Sequence, residues 1–341
     1  MIINSWNHFL EKIPSEKSDI YFTEEYHILN SSEYQKPQAF IYQENSDILI
    51  FPFLSQELTL WNGETAKDFE TAYGYGGPIS NSAEKDFLAR SFTYFKSELE
   101  AEGYIAGFIR FHPLYNNYVE FERIGELIFN RKTIGVNLDQ DTSEIWNNEI
   151  HSKNRNVIKK GIKAGLTFKA DYDFGTLPNF QNLYKKTMDK VNAESFYYFD
   201  DNYFLHLKKL IPESFIGNVY YQDKIISSAI FLYHGNKGHY HLSGSDSKFL
   251  SLAPNNFLLW SAMLELKSIG VNYFHLGGGS DSDENNSLFN FKKKFSNTTN
   301  NFYIGKLIID KIRYEKQCKY WTERNPDKIL QYGKRLLKYR Y

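Results

Sequence analysis

One stretch constrains this chain more than any other: Lys237–Phe295, which carries strand-like, loop-like and helix-like patterns in close succession. Gly238–Ser243 alternates as a strand does, which predicts His239 and His241 on one face. A Ser/Gly/Asp loop follows, and Pro254-Asn255-Asn256 opens an apolar, helix-periodic segment that stops at Gly270. A short strand, Asn272–Leu276, leads into three glycines, an acidic loop and the cluster Phe291-Lys292-Lys293-Lys294-Phe295. Strand, polar loop, helix start, strand and lysine cluster converge at one end of a sheet. There an α/β fold can hold a negatively charged or carbonyl-bearing ligand.

The first part of the chain runs through the same kinds of element in the same order. Gln38–Gln43 and Asp47–Leu54 read as a hairpin, and Glu57–Trp61 as a possible continuation of the sheet. The loop Tyr73–Pro78 contains three glycines. The helix Ala83–Glu100 is closed by Gly103, and the strand Tyr104–Phe111 comes next. The second half repeats that order with the hairpin Phe215–Tyr221 and Lys224–Tyr233, a third strand, the loop, the helix and Asn272–Leu276. Residue identities are not repeated, so the sign of two similar domains lies in element order alone. Between the halves, Glu122–Phe129 and Lys132–Leu138 read as two strands, and Asp141–Glu144 as a helix cap. Phe180–Val191 and Asp201–Leu210 read as helical, and Phe302–Ile309 as a strand before the terminal segment.

Composition excludes several function classes. The net charge is −1, from 40 basic and 41 acidic residues, so no global charge points to nucleic acid. The single cysteine, Cys318, excludes an intrachain disulfide and a cysteine-based zinc site. No signal peptide or apolar run of membrane-spanning length is visible, which predicts a soluble, cytoplasmic chain. Aromatics reach 17%, which predicts a core rich in Phe and Tyr.

From Ile134 onward the chain resembles the Fem-type peptidoglycan aminoacyltransferases and their GNAT-like relatives. The resemblance rests on IGVNLDQDTSEIWNNEIHSKNRNVIKKGIKAGLTF, FYYFDDNYFLHL, HLSGSD, APNNFLLWSAMLELKSIGVNYFHLGGG and the Phe-Lys-x-x-Phe element Phe291–Phe295. It implies an α/β fold of two tandem GNAT-like domains, each a mixed sheet flanked by helices. The expected boundaries are 1–130, 131–310 and a basic helical tail at 311–341. It also implies transfer of an acyl or aminoacyl group to an amine, with aminoacyl-tRNA, acyl-CoA or an acyl carrier as donor and no permanently bound cofactor. The long coiled-coil arm of cross-bridge-building members is not visible, nor is the acyl-CoA signature (Q/R-x-x-G-x-G/A) of ordinary GNAT enzymes.

Amine acylation needs an aligned neutral amine, a proton acceptor and donors for the oxyanion. The resemblance gives Lys292, with Phe291 before it, the role of offsetting negative charge on the donor or the oxyanion. His241 and Asp246 are candidate proton acceptors beside the loop, and Ser243, Asn255 and Asn256 candidate substrate ligands. The segment Lys153–Lys163 carries five Lys/Arg and no acid. Arg155 and Lys159 stand one turn apart on it and can address one anion. Arg110 is placed for a substrate phosphate, with Tyr75 and Gly77 beside it; a buried ion pair explains Arg110 equally, and a plain turn explains the other two nearly as well. The nine His show no metal-ligand spacing with acids. The acceptor expected is a cell-envelope precursor, a peptidoglycan peptide or an amino sugar. Two alternatives stay open: an acyl-CoA-dependent N-acyltransferase of a nucleotide-sugar in capsule or O-antigen synthesis, and a non-catalytic binding protein. The tail Lys311–Tyr341, with ten basic and three acidic residues, is a candidate for peripheral membrane or tRNA contact.

Overall fold

The computed structural model describes residues 1–283 and 285–341. They divide into two compact units, Met1–Asn130 with Asn301–Tyr341, and Arg131–Asn300. The chain begins with β1 (Ile2–Ile3), the short helices α1 (Asn7–Leu10) and α2 (Glu24–Leu29), and the hairpin β2 (Gln35–Glu44) and β3 (Asp47–Thr59). Asn45, at positive φ, turns this hairpin. Then come β4 (Thr65–Glu70), β5 (Ile79–Ser80), α3 (Lys85–Ala101) and β6 (Tyr104–Arg110). The Glu84 carboxylate caps α3 by accepting from the Asp86 and Phe87 amides. Its buried face is Phe87, Ser91, Phe92, Phe95 and Leu99, the spacing of one helical stripe. That stripe meets Phe51, Phe53 and Phe69 of the sheet, with Phe51 and Phe95 ring centres 4.5 Å apart. The aromatic excess of the sequence is therefore spent largely inside the core.

The second unit takes in β7 (Glu126–Asn137) from Arg131 onward, α4 (Thr142–Glu144), α5 (Ser152–Lys163), β8 (Thr167–Asp171), α6 (Leu177–Lys190) and α7 (Asp201–Leu210). It continues with β9 (Ser214–Tyr221), β10 (Lys224–His234), β11 (Lys237–Ser245), α8 (Pro254–Ser268), β12 (Tyr273–Gly278) and α9 (Ser287–Lys293). Its sheet runs β7-β12-β11-β10-β9-β8. Only β11 and β12 are parallel within it, joined by α8 as crossover. The first unit has the same device, a parallel β4–β6 pair joined through α3. Its sheet runs β1-β2-β3-β4-β6 and ends on β13 (Thr299–Ile308), with β5 added at β3. Helix α8 is apolar nearly all round, burying Phe257, Leu258, Leu259, Trp260, Met263 and Leu266, as a central helix must.

The terminal segment, α10 (Lys311–Arg324) and α11 (Ile329–Tyr332) with the residues after them, belongs to the first unit. The sequence reading divides 301–341 between the second domain and a tail. In the structure β13 pairs with β6, while Leu336 and Leu337 are buried against Leu60, Ala66 and Ile105. Arg340 closes this segment on Asp68 at 2.6 Å and on Glu70. Two further expectations differ in detail. The two strands read at 122–129 and 132–138 are one strand, β7, preceded by a helical turn at Phe121–Arg123. β4, with its exposed or charged Thr65, Lys67, Asp68 and Glu70, has no apolar run to announce it.

Candidate active site

In the second unit β11 and β12 are partners over three pairs only, Lys237 with Tyr273, Gly238 with Phe274 and His239 with His275. β11 runs on to Ser245 and β12 to Gly278, each bonded to its other neighbour but with no register pair joining them among the described residues. The two strands thus part after His239, leaving the β11 edge from Tyr240 onward without a β12 partner among the described residues.

A bulge decides which side chains face this opening. Phe231 opposes Tyr240 while Ile230 opposes Leu242, so His241 is an extra residue and the alternation of faces inverts there. Gly238 lies against Leu266 and Val271 on the α8 side. Gly244, six residues on, lies against α6 instead, where a Cβ would stand 2.3 Å from the Leu183 carbonyl carbon. Tyr240 and Ser243 consequently share a face, and the Tyr240 hydroxyl donates to Ser243 Oγ at 2.6 Å. Ser245 Oγ accepts from Asn255 on α8, and Asn255 Oδ1 accepts from Ser227. His241 points to the other side, 2.8 Å from the Tyr203 hydroxyl of α7. Burial drives its imidazole down to about 3, so it is neutral at physiological pH. Asp246 caps the turn that follows, accepting from the Lys248 amide, and pairs with Lys224 at 2.8 Å. The Lys224 hydrogen bond holds its carboxyl below the usual value, which makes it a weak proton acceptor.

Lys292 meets Tyr240 from the second side of the opening. Asn286 caps α9, accepting from the Leu288 and Phe289 amides, and the helix carries Lys292 inward while Lys293 and Lys294 stay exposed. Lys292 is 7% exposed. Its Nζ donates to the Gly278 carbonyl at 2.7 Å and lies 5.7 Å from the centre of the Tyr240 ring. An ammonium has three donors, and no carboxylate pairs with this one among the described residues. Burial, with Arg131 adding to it, lowers the amine to about 7. Gly278 makes the seat possible: a Cβ there would meet the Lys132 carbonyl oxygen at 2.9 Å and the Arg131 stem at 3.0 Å. Phe291 packs on the core and on Phe295, ring centres 5.5 Å apart, and so anchors the helix.

The remaining predicted residues lie elsewhere. Arg155 is spent on main chain: its Nη1 donates to the carbonyls of Trp146, Asn147 and Ile150, ending the helical turn before α5. Lys159 is exposed, 5.9 Å from the Trp146 ring centre. Asn256 donates to Asn154, which donates to the Lys294 carbonyl, so this pair ties α8, α5 and the end of α9 together. In the first unit Arg110 pairs with Glu70 at 3.2 Å and donates to the Thr71 carbonyl at 2.8 Å. Burial pushes the Glu70 carboxyl up, but Arg110 and Arg340 outweigh it and hold it low. Tyr75 sits in an aromatic group with Tyr21, His112 and Phe302. Gly77 has φ +82°, in a turn closed by Asn117 donating to the Gly76 and Pro78 carbonyls. Sequence reasoning missed Tyr240 and Arg131. That Tyr240 and Ser243 meet follows from the face inversion at the bulge, which no residue type in β11 signals.

This sheet, opened between a parallel strand pair and crossed by a single helix, has a counterpart in known proteins. Residues 152–293 match the family model of the acetyltransferase (GNAT) domain. The match lies wholly within the second unit. Among solved structures, FemX is similar over 92% of this chain and 99% of its own, at 14% identity and a TM-score of 0.69. The C-terminal domain (DUF2156) of a putative lysylphosphatidylglycerol synthetase from Agrobacterium fabrum is similar over 94% and 97%, at 13% identity and 0.57. A tandem GNAT protein from the clavulanic acid biosynthesis pathway is similar over 89% and 95%, at 5% identity and 0.50. At such identities the likeness is one of fold. No curated protein sequence matches the chain. Among the described residues no helix is long and apolar enough to cross a membrane.

Proposed function

We propose that the chain moves an acyl or aminoacyl group from an ester or thioester donor onto an amine of a cell-envelope precursor, a peptidoglycan stem peptide or an amino sugar. The observation that carries this reading is Lys292, a buried amine with unspent donors facing the open edge of β11. The amine lone pair attacks the donor carbonyl carbon, and the carbonyl oxygen becomes an oxyanion. The tetrahedral species collapses by breaking the bond to the donor oxygen or sulfur. Lys292 Nζ offers hydrogen-bond donors to that oxyanion, an effect usually worth about 10²–10³-fold in rate per donor. The donor chain would lie along Tyr240–Ser243, where main-chain groups and the hydroxyls of Tyr240 and Ser243 fix its direction. The similarity to FemX and to a lysylphosphatidylglycerol synthetase domain favours an aminoacyl group.

A second reading, acyl transfer from CoA to a nucleotide-sugar, is favoured by the tandem GNAT neighbour, whose structure is described as determined without AcCoA. The test pairs aminoacyl-tRNA and acyl-CoA donors with muropeptide and nucleotide amino-sugar acceptors and follows acceptor mass by mass spectrometry. One pairing is expected to yield the amide, with Lys292→Ala slowing it at least about 100-fold. Turnover by Lys292→Ala at the wild-type rate sinks the role of Lys292. Failure of every pairing favours a binding protein on a transferase fold.

A further inference from the structure

Lys292 and Arg131 are held by the same two residues of backbone. Lys292 Nζ donates to the Gly278 carbonyl and Arg131 Nη1 to the Gly279 carbonyl, both at 2.7 Å. The Arg131 stem packs across Gly278, where even a methyl group would crowd it. A guanidinium stays charged at every pH a folded protein meets, whereas an amine does not. Two cations converging on consecutive carbonyls repel, and the one able to shed its proton gives way. We propose that Arg131 is a positioning residue for Lys292: it fixes the Gly278–Gly279 turn that seats Nζ and sets a permanent positive charge beside it, making Lys292 a proton carrier instead of a fixed cation.

Among the described residues, the other groups around Lys292 leave Arg131 as the charge acting on it, second to burial. Tyr240 of β11 has its hydroxyl pushed up to about 12 by burial and is neutral. His275 of β12 is bonded through Nε2 to Thr133 of β7, and its ring is 5.8 Å from that of His239. Asp281, in the loop before α9, is held low by the Asp283 amide and by Asn286 and Ser280, with Arg131 contributing last. Lys132 lines the same shallow depression as Arg131 and Asp281. Lys293 is exposed. Burial and Arg131 together leave the Lys292 amine near 7, where both protonation states are populated. The inference rests on the proposed acyl transfer for its use. Neutral Nζ takes the proton released as the N–C bond forms, and the ammonium so made returns it to the departing oxygen or sulfur, so no other reactant is consumed.

The test is a ¹³C NMR titration of the full chain labelled in lysine, with the Lys292 Cε signal assigned by its loss in Lys292→Met. The wild-type midpoint is expected near 7. Arg131→Gln keeps a donor for the Gly279 carbonyl but loses the charge, so its midpoint rises by more than about half a pH unit. Arg131→Lys restores the charge and returns the midpoint toward the wild-type value. If Arg131→Gln does not fold, Arg131→Met, which keeps the stem over Gly278, replaces it. An unchanged midpoint in the charge-removing variant overturns the inference whatever the substrate proves to be. A midpoint that moves in a protein with no transferase activity leaves the inference standing and breaks the functional reading instead.

Discussion

Arg110 and Lys292 are both cations that the sequence offers as anion ligands at the end of a strand or helix, and the structure treats them oppositely. Arg110 is satisfied within the protein, by Glu70 and the Thr71 carbonyl, inside a network that Arg340 extends to Asp68. Lys292 has one carbonyl, an aromatic ring face and no carboxylate among the described residues. A spent cation stabilises the fold; an unspent buried one costs stability. The comparison shows that a basic residue near a sheet end says little until its partners are known.

The contrast can be broken first at its structural pole. Arg340→Ala strands Asp68, which is fully buried, and is expected to cost about 3–5 kcal/mol in a denaturation experiment. Loss of less than about 1 kcal/mol would mean that the network is not what holds the terminal segment. Gly244→Ala should cost about 1–3 kcal/mol, because its methyl group would enter the α6 backbone. A neutral result there would undo the face inversion assigned to His241. Arg110→Gln should lower stability by about 1–2 kcal/mol while leaving turnover per folded molecule unchanged.

A further effect is a pH dependence. The folded-state value of Lys292, near 7, lies below the ordinary 10.5 of the unfolded chain. The unfolded state therefore binds more protons between those limits, and the contribution of Lys292 to stability rises with pH across that window. Below about 7 the cost of burying the amine is fully present. Lys292→Met should flatten stability against pH between about 7 and 10 relative to wild type; parallel curves would show the amine is not buried as described.

Much of the fold was legible because it follows from pattern. The hairpins at Asn45 and Gln222, the helix opening at Pro254 and the strand before Gly277 lie within a few residues of their expected places. The Phe-Lys cluster was also legible, since Phe291 and Phe295 anchor the helix that turns Lys292 inward. The parts that were not legible depend on tertiary pairing. One extra residue in β11 gives Ser243 to Tyr240, and strand alternation assumes no such residue. Arg155 looks like an anion ligand until three carbonyls from a preceding turn are found on its Nη1. Asp246 stands beside the site in sequence but is occupied by Lys224 and the Lys248 amide. Arg131, more than 100 residues from Lys292, meets it only through the Gly278–Gly279 turn.

The most direct measurement is turnover per folded molecule for Lys292→Met and Arg110→Gln, side by side with wild type, on the donor–acceptor pair that yields product. The account predicts a loss of at least about 100-fold for Lys292→Met, with thermal stability equal to or above wild type, and near-normal turnover for Arg110→Gln. Wild-type turnover in Lys292→Met, or a loss of that size in Arg110→Gln alone, would contradict it and move the site out of the second unit.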